Sequence, residues 1–256
     1  MSLQPIGIFD SGLGGLSVWK EIRQVLPHES MLYYADSANC PYGTRSTNEI
    51  IDFCEHIVKN LLNKGAKAIV VACNTATAAA ITHLRVHYEV PFIGMEPAIK
   101  PAAHNTKTGN IGVLATQSTL KGDKFQDTRQ RFASHVQVFT QIGYGLVEAV
   151  ENQTMHSPET VHLLEQYLGY MVANKVDQIV LGCTHYPFLL PQMQSIIDGK
   201  VTFINPAIAV ARHTQHILQQ HGLLNDSQET PIYTFETSGD NNILQQFVEN
   251  VMNDVY

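Results

Sequence analysis

The chain has 256 residues, 44% hydrophobic and 15% charged, with a formal net charge of -7. That supports an ample core arranged as one large or two smaller domains. The acidic balance, with no cluster of Lys and Arg, argues against a nucleic-acid partner, and no apolar run reaches the ~18 residues needed to span a membrane.

The first apolar run, Ile6-Gly-Ile-Phe9, has no basic region before it, so it reads as a strand and not a signal peptide. The cytoplasm is the expected compartment. A chain this large does not need disulfides, so its four cysteines are expected to be free thiols. Asp10-Ser11-Gly12-Leu13-Gly14-Gly15 follows the strand, and Leu16 to Val25 has helical spacing. A glycine-rich strand-to-helix turn brings a ligand close to backbone N–H groups at a helix start, which suits a carboxylate. It lacks the Gly-Lys-Ser/Thr of a P-loop and fits the dinucleotide fingerprint poorly. Glycines serving only a tight turn are the alternative.

Ser30 to Asp36 reads as a strand ending in an acid, and Ser37 to Gly43 as a loop punctuated by Pro41 and Gly43. Glu49 to Lys64 is an amphipathic helix stopped by Gly65, with Cys54 as core packing. Ala68-Ile-Val-Val-Ala-Cys73 is a buried strand ending in a cysteine, and Thr75 to Tyr88 is a helix. His83 and His87 lie four apart on it, but no carboxylate or cysteine pattern completes a metal site. Pro91 to Met95 is a further strand, and Glu96-Pro97 opens the next helix.

The second half echoes the first. Ile111-Gly-Val-Leu-Ala-Thr116 resembles Ile6 to Ser11, Gln178-Ile-Val-Leu-Gly-Cys183 resembles Ala68 to Cys73, and Pro206-Ala-Ile208 resembles Pro97-Ala-Ile99. Three echoes in one order, at nearly one offset, indicate a duplicated α/β unit. Between them lie a strand at Val136 to Thr140, a loop or short helix at Gly145 to Glu151, and a helix at Pro158 to Asn174. Tyr233 to Phe235 is a late strand, Thr237 to Asp240 a turn, and Asn242 to Val251 a last helix.

The duplication sets Cys73 and Cys183 at matching strand ends, where open α/β sheets bind ligands. A metal site or a redox pair would want Cys-x-x-Cys, and a cysteine hydrolase built on Cys183 and His185 leaves Cys73 unexplained. Two buried structural cysteines are the plain alternative. The remaining reading is two-base proton transfer, in which one thiol removes a proton from a carbon and the other delivers one to its far face. An ordinary thiol is only a few per cent thiolate at neutral pH, so each needs a helper, for which Asp10, Asp36, Glu151 and His185 stand at or near strand ends.

Four stretches narrow these readings: Asp10-Ser-Gly-Leu-Gly-Gly15, Tyr34-Ala-Asp36 through Pro41-Tyr-Gly43-Thr-Arg-Ser46, Ala72-Cys-Asn-Thr-Ala-Thr77, and Leu181-Gly-Cys-Thr-His-Tyr-Pro187. In order, across almost the whole chain, they resemble the motif set of the glutamate racemase family, within the cofactor-independent aspartate/glutamate racemases. The resemblance implies interconversion of L- and D-glutamate without a cofactor or metal, supplying D-glutamate for peptidoglycan. It implies that Cys73 abstracts the α-proton of D-glutamate and Cys183 that of L-glutamate. Asp10 would assist Cys73 and His185 would assist Cys183. Glu151 matches the second-half acid, with Glu148 a rival, and Asp36 matches the other auxiliary acid. Substrate contacts implied by the match are Asp10, Ser11, Tyr42, Gly43, Asn74, Thr75, Thr184 and His185, with Thr116 and Thr119 as further carboxylate ligands. The chain departs from the family at Gln141 to Gly145 and at Ile204-Asn-Pro206.

The fold implied is two pseudo-symmetric α/β domains with mainly parallel sheets, the active site in the cleft between them. The first domain takes residues 1–97 plus 208–256, and the second takes 98–207. Family members are commonly homodimers, and some are activated by a peptidoglycan precursor. The rivals are an aspartate racemase on the same fold and a non-catalytic amino-acid-binding protein.

Overall fold

The β-branched runs form buried parallel strands in the computed structural model, which describes residues 3–255 except 97, 198, 200 and 228. Pro97, expected near a helix start and a domain boundary, lies outside the described residues. The chain divides into two units: residues up to Met95 together with those from Ala207 onward, and Glu96–Pro206.

The first unit begins β1 (Ile6–Asp10), α1 (Leu16–Val25), β2 (Met31–Ala35), α2 (Thr47–Asn63), β3 (Ala68–Val71), α3 (Asn74–His87), β4 (Phe92–Gly94). The second unit follows as α4 (Ile99–Asn105), β5 (Asn110–Ala115), α5 (Gln117–Lys121), α6 (Asp123–Phe132), β6 (Gln137–Ile142), α7 (Leu146–Glu151), α8 (Pro158–Ala173), β7 (Gln178–Gly182), α9 (Leu190–Ile197), β8 (Thr202–Ile204). The chain then returns to the first unit as α10 (Ala207–Gln220), β9 (Tyr233–Thr237) and α11 (Asn241–Met252).

The first unit's sheet has the order β4-β3-β1-β2-β9, and the second unit's has β6-β5-β7-β8. All the pairings are parallel. Matching β1 with β5, β2 with β6, β3 with β7 and β4 with β8 gives one strand order in both sheets. The repeat visible in sequence is thus a repeat of topology. In each unit the chain moves from its first strand to one neighbour and then crosses to the other side. That creates a switch point between β1 and β3 in one unit and between β5 and β7 in the other. Ligands bind outside the carboxyl ends of strands at such points.

Local chemistry explains where the helices start. Ser46 and Glu49 form a reciprocal capping box on α2, worth about 1 kcal/mol, so that helix begins two residues earlier than its apolar pattern indicates. Its buried face, Ile50, Cys54, Ile57, Val58 and Leu61, follows helical spacing and packs against α3. Cys54 is fully buried there, and burial pushes its thiol pKa well up, in keeping with a packing role. In the second unit Ser157 caps α8, with Pro158 in the first turn.

Two polar features brace the units. In the first, Lys67 and Glu29 form an ion pair of 2.6 Å with side chains only 1% and 2% exposed. Glu29 also accepts the Asn225 N–H at 2.8 Å. In the second, Asp177 accepts from the Thr106 hydroxyl and the Lys107 N–H at 2.6 Å each and from the Thr108 N–H at 3.1 Å, which staples the turn before β5 to the start of β7. Among the described residues no helix is long and apolar enough to cross a membrane.

Candidate active site

In the first unit Asp10, Ser11, Asp36, Tyr42, Gly43, Cys73, Asn74 and Thr75 all gather at or just past the carboxyl ends of β1, β2 and β3. Asp10 is fully buried, and its Oδ2 accepts the Gly15 N–H at 2.8 Å. It therefore closes the turn into α1 as well as standing at the switch point. A Cβ at Gly15 would come 2.5 Å from the Asp10 Cβ and 2.8 Å from the Tyr33 hydroxyl, so this turn requires glycine. The Tyr33 hydroxyl donates to the Gly12 carbonyl at 2.7 Å and pins the same turn from below.

Cys73 caps α3. Its sulfur accepts the Ala76 N–H at 3.3 Å and lies 3.7 Å from the Ser11 hydroxyl oxygen. The positive end of a 14-residue helix favours negative charge on that sulfur, and the first turn carries no acidic residue to cancel it. Asn74, the next residue, is buried, and its side-chain Nδ2 has no hydrogen-bond acceptor among the described residues. Native structures rarely leave such a donor buried and unpaired, because it costs about 1–3 kcal/mol. Beside the cysteine it is a donor available to a ligand carboxylate.

Asp36 is buried and saturated with donors. It accepts from Tyr42 at 2.6 Å, from Ser238 at 2.7 Å, and from Asn39 at 3.0 and 3.1 Å to its two oxygens. Burial, and then the hydrogen bond to Asp36, push the Tyr42 phenol pKa far up, so it acts as a fixed donor. Gly43 follows it in the same helical turn, Tyr42–Thr44.

In the second unit Thr116, Thr119, Cys183, Thr184 and His185 lie past the ends of β5 and β7, and Glu151 closes α7. A Cβ at Gly182 would come 2.6 Å from the Ala115 Cβ, so glycine lets β5 and β7 approach closely just before the cysteine. The Cys183 sulfur is 3.6 Å from His185 Nδ1, and His185 Nε2 is 2.6 Å from Glu151 Oε1. An ionised carboxylate can only accept, so Nε2 carries the hydrogen and Nδ1 is left to exchange a proton with the thiol. Glu148, the rival in sequence, is exposed, while Glu151 is the acid that reaches His185. Thr116 caps α5 by accepting the Thr119 N–H at 3.3 Å, and the two hydroxyls are 2.9 Å apart.

Some residues were not singled out by sequence reasoning. Ser238 on the Asp36 carboxylate is one, and Asn39 is another; they stand in a turn and a loop whose partners only the fold reveals. His83, which had no carboxylate partner in sequence, meets Glu55 of α2 at 2.8 Å. The hydrogen bond from His83, aided by Lys59, lowers the Glu55 carboxyl pKa to about 2.

These observations define a duplicated parallel α/β protein with a cysteine at each switch point, one on a helix cap and one on a histidine–carboxylate pair. The chain belongs to the Asp/Glu/Hydantoin racemase family, whose model matches residues 8–214. It is 50% identical to the glutamate racemase of Ectopseudomonas mendocina over 93% of this chain and 91% of that one. Among solved structures it resembles glutamate racemase isoform RacE1 of Bacillus anthracis, with a TM-score of 0.89 and 33% identity, covering 99% of this chain and 95% of that one. It also resembles Escherichia coli glutamate racemase in complex with L-glutamate and the activator UDP-MurNAc-ala, with a TM-score of 0.85 and 31% identity over 97% and 95% of the two chains.

Proposed function

We infer that the chain interconverts L- and D-glutamate by 1,1-proton transfer, with Cys73 and Cys183 as the two bases. The observation that carries this is the pair of thiols at topologically equivalent switch points, each with its own hydrogen-bonding helper. Family membership and the glutamate racemases it resembles support the substrate.

In the D-to-L direction the Cys73 thiolate takes the α-proton. The electron pair left on Cα is delocalised into the α-carboxylate, and the Cys183 thiol delivers its proton to the opposite face. Cys73 ends as thiol and Cys183 as thiolate, and the reverse reaction restores them. The α-proton is very weakly acidic, so charge developing on the carboxylate must meet fixed donors. Asn74 Nδ2, the hydroxyls of Ser11, Thr75, Thr116, Thr119 and Thr184, and the Tyr42–Gly43 segment are the groups we assign to the substrate. Asp10 is assigned to Cys73, and His185 with Glu151 to Cys183. Asp36 acts in this scheme by fixing Tyr42.

None of the four cysteines is in a disulfide among the described residues, which fits a reducing compartment, and we place the reaction in the cytoplasm, where D-glutamate would feed peptidoglycan synthesis. A homodimer and activation by a peptidoglycan precursor belong to the same proposal. Sedimentation tests the first, and UDP-MurNAc-ala added to the assay tests the second.

The deciding experiment is incubation of L-glutamate in D2O with no added cofactor. The expected result is D-glutamate carrying deuterium at Cα. Turnover of aspartate far above glutamate would move the substrate assignment. Binding of glutamate with no exchange at Cα, with or without the precursor, would overturn the catalytic reading.

A further inference from the structure

Ser238 lies about two hundred residues from the loop it touches, yet its hydroxyl makes two contacts there. It donates to Asp36 Oδ1 at 2.7 Å and accepts the Ala38 N–H at 3.0 Å. One oxygen therefore fixes both the buried carboxylate and the backbone of the segment leading to Asn39 and Tyr42. The Asp36 carboxylate in turn holds the Tyr42 hydroxyl at 2.6 Å.

The turn that carries Ser238 is itself held on both sides. The Ser238 N–H donates to the Ala35 carbonyl at 3.1 Å, extending the β2–β9 pairing. The Gly239 N–H donates to the Thr237 hydroxyl at 2.9 Å, and Asp240 caps α11 by accepting the Asn242 N–H at 2.7 Å. A turn fixed between a strand and a helix cap is a firm support for a loop that has no regular ladder of its own.

We propose that Ser238 is a positioning residue for substrate binding, setting the Tyr42–Gly43 segment through Asp36 and Ala38. This rests on the reading that Tyr42 and Gly43 contact glutamate. Ser238 is exposed, so its removal lets water satisfy the Ala38 N–H, and the effect falls on the loop's position more than on the fold.

The test measures kcat, KM and thermal unfolding for Ser238→Ala, Ser238→Thr and Tyr42→Phe in both directions. Ser238→Ala is expected to raise KM about three- to ten-fold, the range for one lost hydrogen bond, with kcat within about two-fold and the melting temperature unchanged. Ser238→Thr keeps the hydroxyl at an exposed position, so it is expected to restore the native KM. A native KM in Ser238→Ala, with a raised one in Tyr42→Phe, would overturn the positioning role alone. A native KM in both would overturn the substrate role of the loop and the positioning role with it. A fall in kcat and melting temperature together in Ser238→Ala, not rescued by threonine, would mark Ser238 as structural only.

Discussion

Glu151 Oε1 lies 2.6 Å from His185 Nε2, and this contact decides which way the imidazole faces the thiol beyond it. With Nε2 committed to the carboxylate, Nδ1 is the nitrogen left for Cys183, 3.6 Å away. The pair can thus hold either a neutral ring accepting from the thiol or a charged ring donating to the thiolate. His185→Asn is expected to lower kcat in the L-to-D direction by about 10²- to 10⁴-fold, the usual worth of a positioned acid–base group, and to lower the reverse direction less. Glu151→Gln should show the same asymmetry in milder form. Progress curves from each enantiomer check this, with kcat/KM in the two directions tied by the equilibrium. Equal loss of kcat both ways would detach His185 from Cys183.

Asn74 keeps a buried side-chain donor with no acceptor among the described residues, which costs the free protein stability. Asn74→Leu removes that cost at similar volume. We expect the variant to unfold at a higher temperature in the absence of substrate and to bind glutamate more weakly, with KM raised by about ten-fold or more. Calorimetry with and without glutamate reads both effects. A variant less stable than the parent, with unchanged KM, would remove Asn74 from the site.

The Lys67–Glu29 pair sits where water cannot replace a missing partner. Lys67→Met should destabilise the first unit by about 3–5 kcal/mol, because Glu29 is left charged and buried. Glu29→Leu together with Lys67→Met should recover most of that loss. Trp19, the only tryptophan, is buried in the same unit and reports its urea transition by fluorescence. A double variant as unstable as the single one would refute the charge argument.

The Asp177 staple gives a pH signature. Burial pushes its carboxyl pKa up, but hydrogen bonds from Thr106, Lys107 and Thr108 outweigh that, and the net shift is down from the ordinary 3.8. A lowered native pKa means the stabilisation is full above the unfolded value and is lost as pH falls through the native one. Asp177→Asn should therefore melt below the parent at pH 7, with the gap closing as pH drops below 3.8. The site is partly exposed to solvent, so the gap is modest. A gap independent of pH would point to lost hydrogen bonds alone.

Much of this was legible in the sequence because it rests on local pattern. The strands around Ile8, Val70, Val113 and Val180 are short, apolar and β-branched, and matching residues follow them, Ser11 and Thr116 after β1 and β5, Cys73 and Cys183 after β3 and β7. What stayed hidden depends on contacts between distant segments. No spacing rule links Ser238 to Asp36 or Glu55 to His83. Helix α6 buries only Phe125, so it carries little apolar periodicity to read. The register of Glu151 against Glu148 was open for a similar reason, since α7 is six residues long and its orientation comes from packing.

The order in which the strands are made carries a consequence for biosynthesis. The edge strand β9 pairs with β2, and α10 packs on α1, so the first unit is finished by segments that follow the second unit in sequence. Every strand of the second unit is made before β9 emerges. On the ribosome the inserted unit has its whole sheet while its host still lacks an edge strand and two helices. The guest is complete before the host, and the host's exposed β2 edge and uncovered α1 are surfaces a nascent chain must keep from other partners until Tyr233–Thr237 arrives.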